Sequence, residues 1–175
     1  VAWVVAFLLT VFGAWDQSAR AAIPRHDLNA AAWAVDGDWV ARAEAALPRG
    51  AKVFQLPWVP FPESPPEQRQ FNYDWLRPVL RSHSLHWSYG AMKQSKSDLW
   101  QRSTATLPAA EMIARLRVEN FAAVVLDRWG YADQGEKLAS ELAGFLGPTE
   151  IESSDRRWIL FMLKEGSSPV LESGR

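Results

Sequence analysis

Phe-Ala-Ala-Val-Val-Leu, residues 121–126, is a run of six apolar residues without a polar interruption. A strand that is apolar at every position is buried on both faces, as in a parallel sheet covered by helices on each side. Asp127-Arg128-Trp129-Gly130-Tyr131 follows at once, so the buried run opens into a polar loop. Upstream, Pro108 occupies the first turn of an amphipathic helix, where its missing N–H costs nothing. Met112, Ile113 and Leu116 lie on its inner face, with Arg115, Arg117 and Glu119 outside. Asn120 suits the left-handed position that ends such a helix. Downstream, Asp133 and Glu136 have the spacing of a capping box. The helix they open should turn Leu138, Leu142 and Phe145 inward, and Gly147-Pro148 stops it. Residues 150–153 and 158–163 then read as a hairpin around Ser154-Asp155 or as two linked strands.

Toward the N-terminus, Trp39, Val40, Ala43 and Leu47 share one face of a helix that starts near Asp36 and is stopped by Pro48-Arg49-Gly50. Lys-Val-Phe-Gln-Leu, residues 52–56, is a short strand ended by Pro57. Prolines at 57, 60, 62, 65 and 66 then forbid helix or central strand, which leaves a long loop at the carboxyl end of that strand. Residues 73–82 and 97–104 suit short helices, and 85–89 an extended piece. The alternation of strand and helix predicts an α/β fold. It is a small three-layer-like domain over residues 36–164, with a short, mostly parallel sheet flanked by helices. Residues 16–35 are expected to be a linker and 165–175 a polar tail.

At 175 residues, one domain with its own core plus a flanking element is the expected organisation. Lysine and arginine total 19 against 20 acidic residues, and no basic stripe appears, which argues against a nucleic-acid partner. With no cysteine, thiolate metal sites, disulfides and thiol nucleophiles are excluded. No cofactor motif stands out.

Residues 1–15, VAWVVAFLLTVFGAW, carry no charge and a single polar side chain, Thr10. As a helix they would reach about 22 Å, short of the roughly 30 Å hydrocarbon core, so a transmembrane reading expects the segment to begin upstream of Val1. Trp15 would then sit at headgroup level. Two rivals stay open: a signal peptide cleaved at Ala19-Arg20-Ala21, and a core helix.

Ligands of open α/β sheets dock outside the carboxyl ends of the strands. Asp127 and Arg128 stand there and could grip sugar hydroxyls or a phosphate. The plainer alternative has Asp127 capping the loop while Arg128 pairs with a glutamate or a carbonyl. Trp87, Tyr89 and Lys93 cluster around Gly90, offering rings to a sugar face or simply packing on the core. Glu63, in the proline loop, is a candidate contact or general acid. His83 and His86 lack a third ligand for a metal site. Ser88 has no nucleophile-elbow context, and no glycine-rich phosphate loop exists.

Residues 47–57 (LPRGAKVFQLP), Phe61-Pro62-Glu63, Tyr73-Asp74, residues 80–93 (LRSHSLHWSYGAMK), Leu126-Asp127-Arg128 and Gly130-Tyr131 together resemble bacterial multi-pass membrane proteins similar to GT-C type glycosyltransferases. Such proteins end in a last transmembrane helix, a short junction that Trp15-Asp16-Gln17 matches, and a small extracytoplasmic domain. The resemblance spans most of the chain. It implies an accessory domain on the outer side of a bacterial cell membrane, anchored by the N-terminal helix and contacting a glycan or a polyprenyl-phosphate-linked sugar. Glu63, Tyr73, Trp87, Tyr89, Lys93, Asp127, Arg128 and Tyr131 are then the expected binding residues. The family's catalytic carboxylate lies in an early outer loop, so no catalytic residue carries over. A ligand-free structural or interaction domain and a periplasmic hydrolase using Glu63, Asp127 or the histidines are the competing readings.

Overall fold

A computed structural model describes residues 2–17, 26–148 and 151–163, in two compact units, Val1–Ala32 and Trp33–Arg175. The first contains helix α1, Ala2–Gln17, in which no residue is buried and Trp3, Phe7, Phe12 and Trp15 are exposed. Its 16 residues reach about 24 Å at the α-helical rise. Among the described residues no helix is long and apolar enough to cross a membrane. The transmembrane segment expected at residues 1–15 is therefore without support. The Ala19-Arg20-Ala21 site and the tail from 165 onward lie outside the described residues.

Helix α2, His26–Ala46, begins well before Asp36 and takes in residues expected to be linker. The extension is alanine-rich: Ala30, Ala31, Ala32 and Ala34 favour helix by propensity and carry no apolar periodicity that would announce it. After α2 come β1 (Lys52–Leu56), α3 (Leu76–Arg81), β2 (His86–Trp87), α4 (Lys96–Ala105), α5 (Ala109–Val118), β3 (Phe121–Asp127), α6 (Glu136–Leu146), β4 (Ile151–Glu152) and β5 (Trp158–Met162). They build one five-stranded sheet in the order β2-β1-β3-β5-β4.

The sheet is mixed rather than mostly parallel. β1 runs parallel to both β2 and β3, while β5 is antiparallel to β3 and to β4. The short turn between β4 and β5 allows only an antiparallel return, since a parallel one needs a crossover of a dozen residues or more.

Side-chain alternation sorts the strand residues into two cores. Val53, Ala123, Val125, Trp158 and Leu160 face α2, where Trp39, Val40, Ala43 and Leu47 meet them. Phe54, Leu56, Val124, Leu126, Ile159 and Phe161 face α5 and α6, against Met112, Ile113, Leu116 and Leu142. Helix, sheet and helix thus make three layers, and β3, with Ala123, Val124, Val125 and Leu126 fully enclosed, is the central strand.

The helix-end signals beside β3 hold at α5, whereas the expected Asp133–Glu136 capping box gives way to an Asp133 turn with Gly135 at the start of α6. Pro108 caps α5, and Asn120 takes a left-handed φ of 59° just beyond it. The Asp133 carboxylate accepts hydrogen bonds from the Gly135 and Lys137 amides at 3.0 and 3.2 Å, anchoring α6. Those bonds hold its pKa below the ordinary aspartate value. The inner face of α6 also differs: Phe145 is 60% exposed, and Leu146 packs inward instead. The i, i+4 row of 138, 142 and 146 lies on the sheet, and 145 falls beside it.

The segment leading into β2 is tied to α2 by one carboxylate. Glu44 Oε1 accepts from Ser82 Oγ at 2.8 Å, His83 N at 2.6 Å and Ser84 N at 2.7 Å. Burial works to raise this carboxyl, but the hydrogen bonds outweigh it and hold the group below the ordinary glutamate value. Its stabilisation is in place above that ordinary value, about 4.3, and is lost as pH falls through the lower folded one. Urea unfolding across the acid range should show a smaller stability drop below about pH 4.5 in Glu44→Gln than in the parent.

Leu116 on α5 and Phe145 on α6 make a second test. Leu116→Ala, at a fully buried site, should cost about 2–5 kcal/mol in urea unfolding. Phe145→Ala should stay within about 0.5 kcal/mol of the parent.

Candidate functional site

Asp127 is the last residue of β3, and the antiparallel register sets it opposite Trp158, next to Arg157. Asp127 and Arg157 are both sealed from solvent. Arg157 grips the carboxylate with two parallel bonds, Nε to Oδ1 at 3.0 Å and Nη2 to Oδ2 at 2.8 Å. Gln70 Nε2 donates to Oδ2 at 2.8 Å and the Trp129 amide to Oδ1 at 3.0 Å. Arg157 Nη2 also reaches Asp74 Oδ2 at 2.8 Å. Its guanidinium carbon lies 4.1 Å from the Trp129 ring centroid and 4.3 Å from that of Trp158. Burial works against charge on Arg157, but the bonds and charge of Asp127, and then Asp74, hold it above its usual value. Burial raises the Asp127 carboxyl above the ordinary aspartate value, with the bonds from Arg157, Trp129 and Gln70 working against it; the pairing rests on the two parallel bonds themselves.

A second buried carboxylate extends the network. Asp36 accepts from Trp158 Nε1 at 2.8 Å and from Arg77 Nε at 2.8 Å. Trp158 also packs on Trp39 and Trp75, with centroids 5.7 and 5.1 Å apart.

Above this buried layer, a single 3-10 turn, Arg128–Gly130, carries the chain out of the sheet. Arg128 turns away from Asp127: its Nη1 donates to the Gln134 carbonyl at 3.0 Å, and its Nη2 stands 3.6 Å from Glu152. Asp127 is thus the loop cap and Arg128 the partner of a carbonyl and a glutamate, the plainer of the two sequence alternatives. Fully buried, with both carboxylate oxygens engaged, Asp127 supports the loop and cannot itself touch a ligand. At Gly130, an added Cβ would fall 2.4 Å from Pro57 Cγ, so the loops after β1 and β3 touch where only a hydrogen fits.

Arg128 instead lines an open cleft of ≈ 320 Å³, with Arg69, Trp129, Gln134, Glu136, Asp155 and Arg156. Arg69 comes from the segment after the proline run, its guanidinium 4.8 Å from the Trp129 ring centroid. Arg156 and Asp155 come from the β4–β5 turn. Arg128 Nε is buried with no hydrogen-bond partner among the described residues. Arginines 69, 156 and 157 escaped the sequence reading. The available signal was Arg156-Arg157, two guanidiniums immediately ahead of the apolar run of β5.

The other expected residues divide. Glu63, Tyr73, Tyr89 and Lys93 converge around Phe61, whose ring meets Tyr73 at 6.1 Å and Tyr89 at 5.6 Å, both edge-on. Lys93 Nζ donates to the main-chain oxygen of Glu63, and the Lys93 amide to the Phe61 carbonyl at 2.8 Å. Gln55, buried at the end of β1, accepts from the Tyr89 amide at 2.8 Å. Burial, then the nearby Tyr73, raises the Tyr89 hydroxyl. Trp87 is not in this group: it packs on the α2-facing core, 6.1 Å from Trp39. Tyr131 packs on the opposite core, its hydroxyl raised by burial and by Asp127 and Asp133. Among the described residues no three His, Asp or Glu side chains gather as a metal site.

No protein-family model, no curated protein and no solved structure matches this chain. The site's own geometry is therefore what a functional reading must stand on.

Arg157→Ala should lower the free energy of urea unfolding by about 3–5 kcal/mol, because Asp127 is left buried and unpaired. The double replacement Arg157→Met with Asp127→Leu should lose clearly less than the single one.

Proposed function

We propose that this chain is a non-catalytic glycan-binding domain, serving as the extracytoplasmic accessory part of a membrane glycosyltransferase-like protein. The observation that carries the binding half is the polar cleft at the carboxyl end of β3, where Arg69, Arg128 and Arg156 stand among Glu136 and Asp155. Planar guanidiniums and carboxylates side by side suit vicinal sugar hydroxyls, which donate to one and accept from the other. With three guanidiniums present, a sugar bearing a phosphate or carboxylate fits as well as a neutral one.

The cleft rests on a preorganised base, since Arg157 holds Trp129 from below through buried contacts. The half-exposed Tyr73, with Phe61, supplies an aromatic surface outside the cleft lining. The membrane and extracytoplasmic parts of the proposal come from the sequence resemblance. A hydrolase reading has lost Asp127 to its ion pair. An interaction-domain reading draws on one observation, the exposed apolar side chains of α1.

The test is a titration of the whole chain with neutral, uronic and phosphorylated oligosaccharides, followed by the tryptophan indole signals in a nitrogen–proton correlation spectrum. A binding sugar should move the Trp129 signal, and Arg128→Ala or Arg69→Ala should weaken it about tenfold or more while the other indole signals stay in place. If no sugar in the panel disturbs Trp129, the proposal is lost.

A further inference from the structure

A second pocket, of ≈ 350 Å³, lies at the opposite end of the strands, lined by residues that open β1, β3 and α4. Lys52 begins β1 and Phe121 begins β3, and the two are register partners across the parallel pair. From α4, Lys96 and Trp100 are one turn apart, as are Ser97 and Gln101, so a single helix face turns all four to the pocket. Trp100 and Phe121 stack almost flat, 9° between planes and 5.8 Å between centroids. Phe54 supports both rings edge-on from the core side, at 6.0 and 5.5 Å. The result is a stepped apolar wall of two offset rings, each partly covering the other, fixed from behind by Phe54.

Cations border that wall. Lys52 Nζ lies 5.8 Å from the Phe121 centroid and donates to the Glu119 carbonyl at 3.0 Å. Arg115 lies 5.3 Å from the Trp100 centroid, and Lys96 stands at the pocket edge. Glu119 is the one carboxylate in the lining. The volume is at the lower end of the range for small-molecule sites.

We infer that this pocket binds a small organic anion with a flat apolar body, the ring laid on Trp100 and Phe121 and the charge held by Lys96 and Lys52. The site is separate from the sugar cleft, on the order of 20 Å away along β3, and does not depend on that reading. Each half of the ligand has its own partner here: the stacked wall has no use for a bare anion, and the lysines none for a neutral ring.

Phenyl phosphate is the probe, with inorganic phosphate and benzyl alcohol as its two halves. In the indole spectrum of the whole chain, phenyl phosphate should shift the Trp100 signal saturably, with each half binding about tenfold more weakly. Added salt should weaken the binding, as expected of exposed ammonium groups. Lys96→Ala, at an exposed position, should weaken it about tenfold without disturbing the remaining indole signals, and Lys52→Ala serves as the second variant. The inference is overturned if Trp100 does not respond, if benzyl alcohol binds as tightly as phenyl phosphate, if both lysine variants bind unchanged, or if the responding signal is that of Trp129.

Discussion

Arg157 sits between two indole rings with both of its carboxylate partners drawn from distant parts of the chain. Its bond to Asp127 joins the β5 entry to the end of β3, and its bond to Asp74 brings in the segment before α3. Removing such a charge from water costs several kcal/mol, and only a near-complete set of partners offsets it. The bidentate carboxylate, the second aspartate and the two ring faces provide that set. Everything above depends on this arrangement: the Trp129 ring, the 3-10 turn and the floor of the cleft are placed by one buried guanidinium.

The neighbouring strand residue extends the same constraint to the other side of the sheet. Trp158 donates its indole N–H to Asp36 on α2 while stacking on Trp39 and Trp75. Polar ends and apolar faces are thus satisfied by different partners, which is what allows tryptophan to be enclosed completely. The helix layer and the loop layer are therefore registered through two consecutive residues at the entry to β5, one charged and one aromatic.

Much of this architecture could be read from local sequence, for an identifiable reason. Residues 121–126 announce a central strand because both faces are covered, and α5 announces itself through the spacing of Met112, Ile113 and Leu116. Asn120 and Asp133 mark helix ends through backbone chemistry confined to a few residues. The failures are of a different kind. The early start of α2 rests on alanine propensity, which has no period. The antiparallel placement of β5 beside β3 is a choice of neighbour rather than of conformation. Phe145 and Leu146 are equivalent by spacing, and only the seating of α6 on the sheet separates them. The candidate site suffered most, because Asp127 and Arg157 are 30 residues apart and nothing local pairs them. Asp127 was legible as the loop cap at the strand end but its buried partner was not, and Arg69 and Arg156 reach the cleft from loops whose path no short motif describes.

The two pockets also differ in how they are made. The stacked wall at the start of β1 and β3 is built from regular elements and belongs to the sheet. The cleft at the other end is assembled from three loops over a buried ion pair, so its shape follows those loops.

Gly130 gives this last point a practical edge. With Pro57 filling the space a side chain would need, the two loops share a pivot with no slack. The proline-rich excursion that leaves Pro57 comes back through Arg69 and Gln70, so it is held to the cleft at both ends. A change at the pivot itself would prise the loops apart. Rim and hub are thus one piece: a change in the excursion is felt at the buried pair through Gln70 and at the Trp129 ring through Arg69.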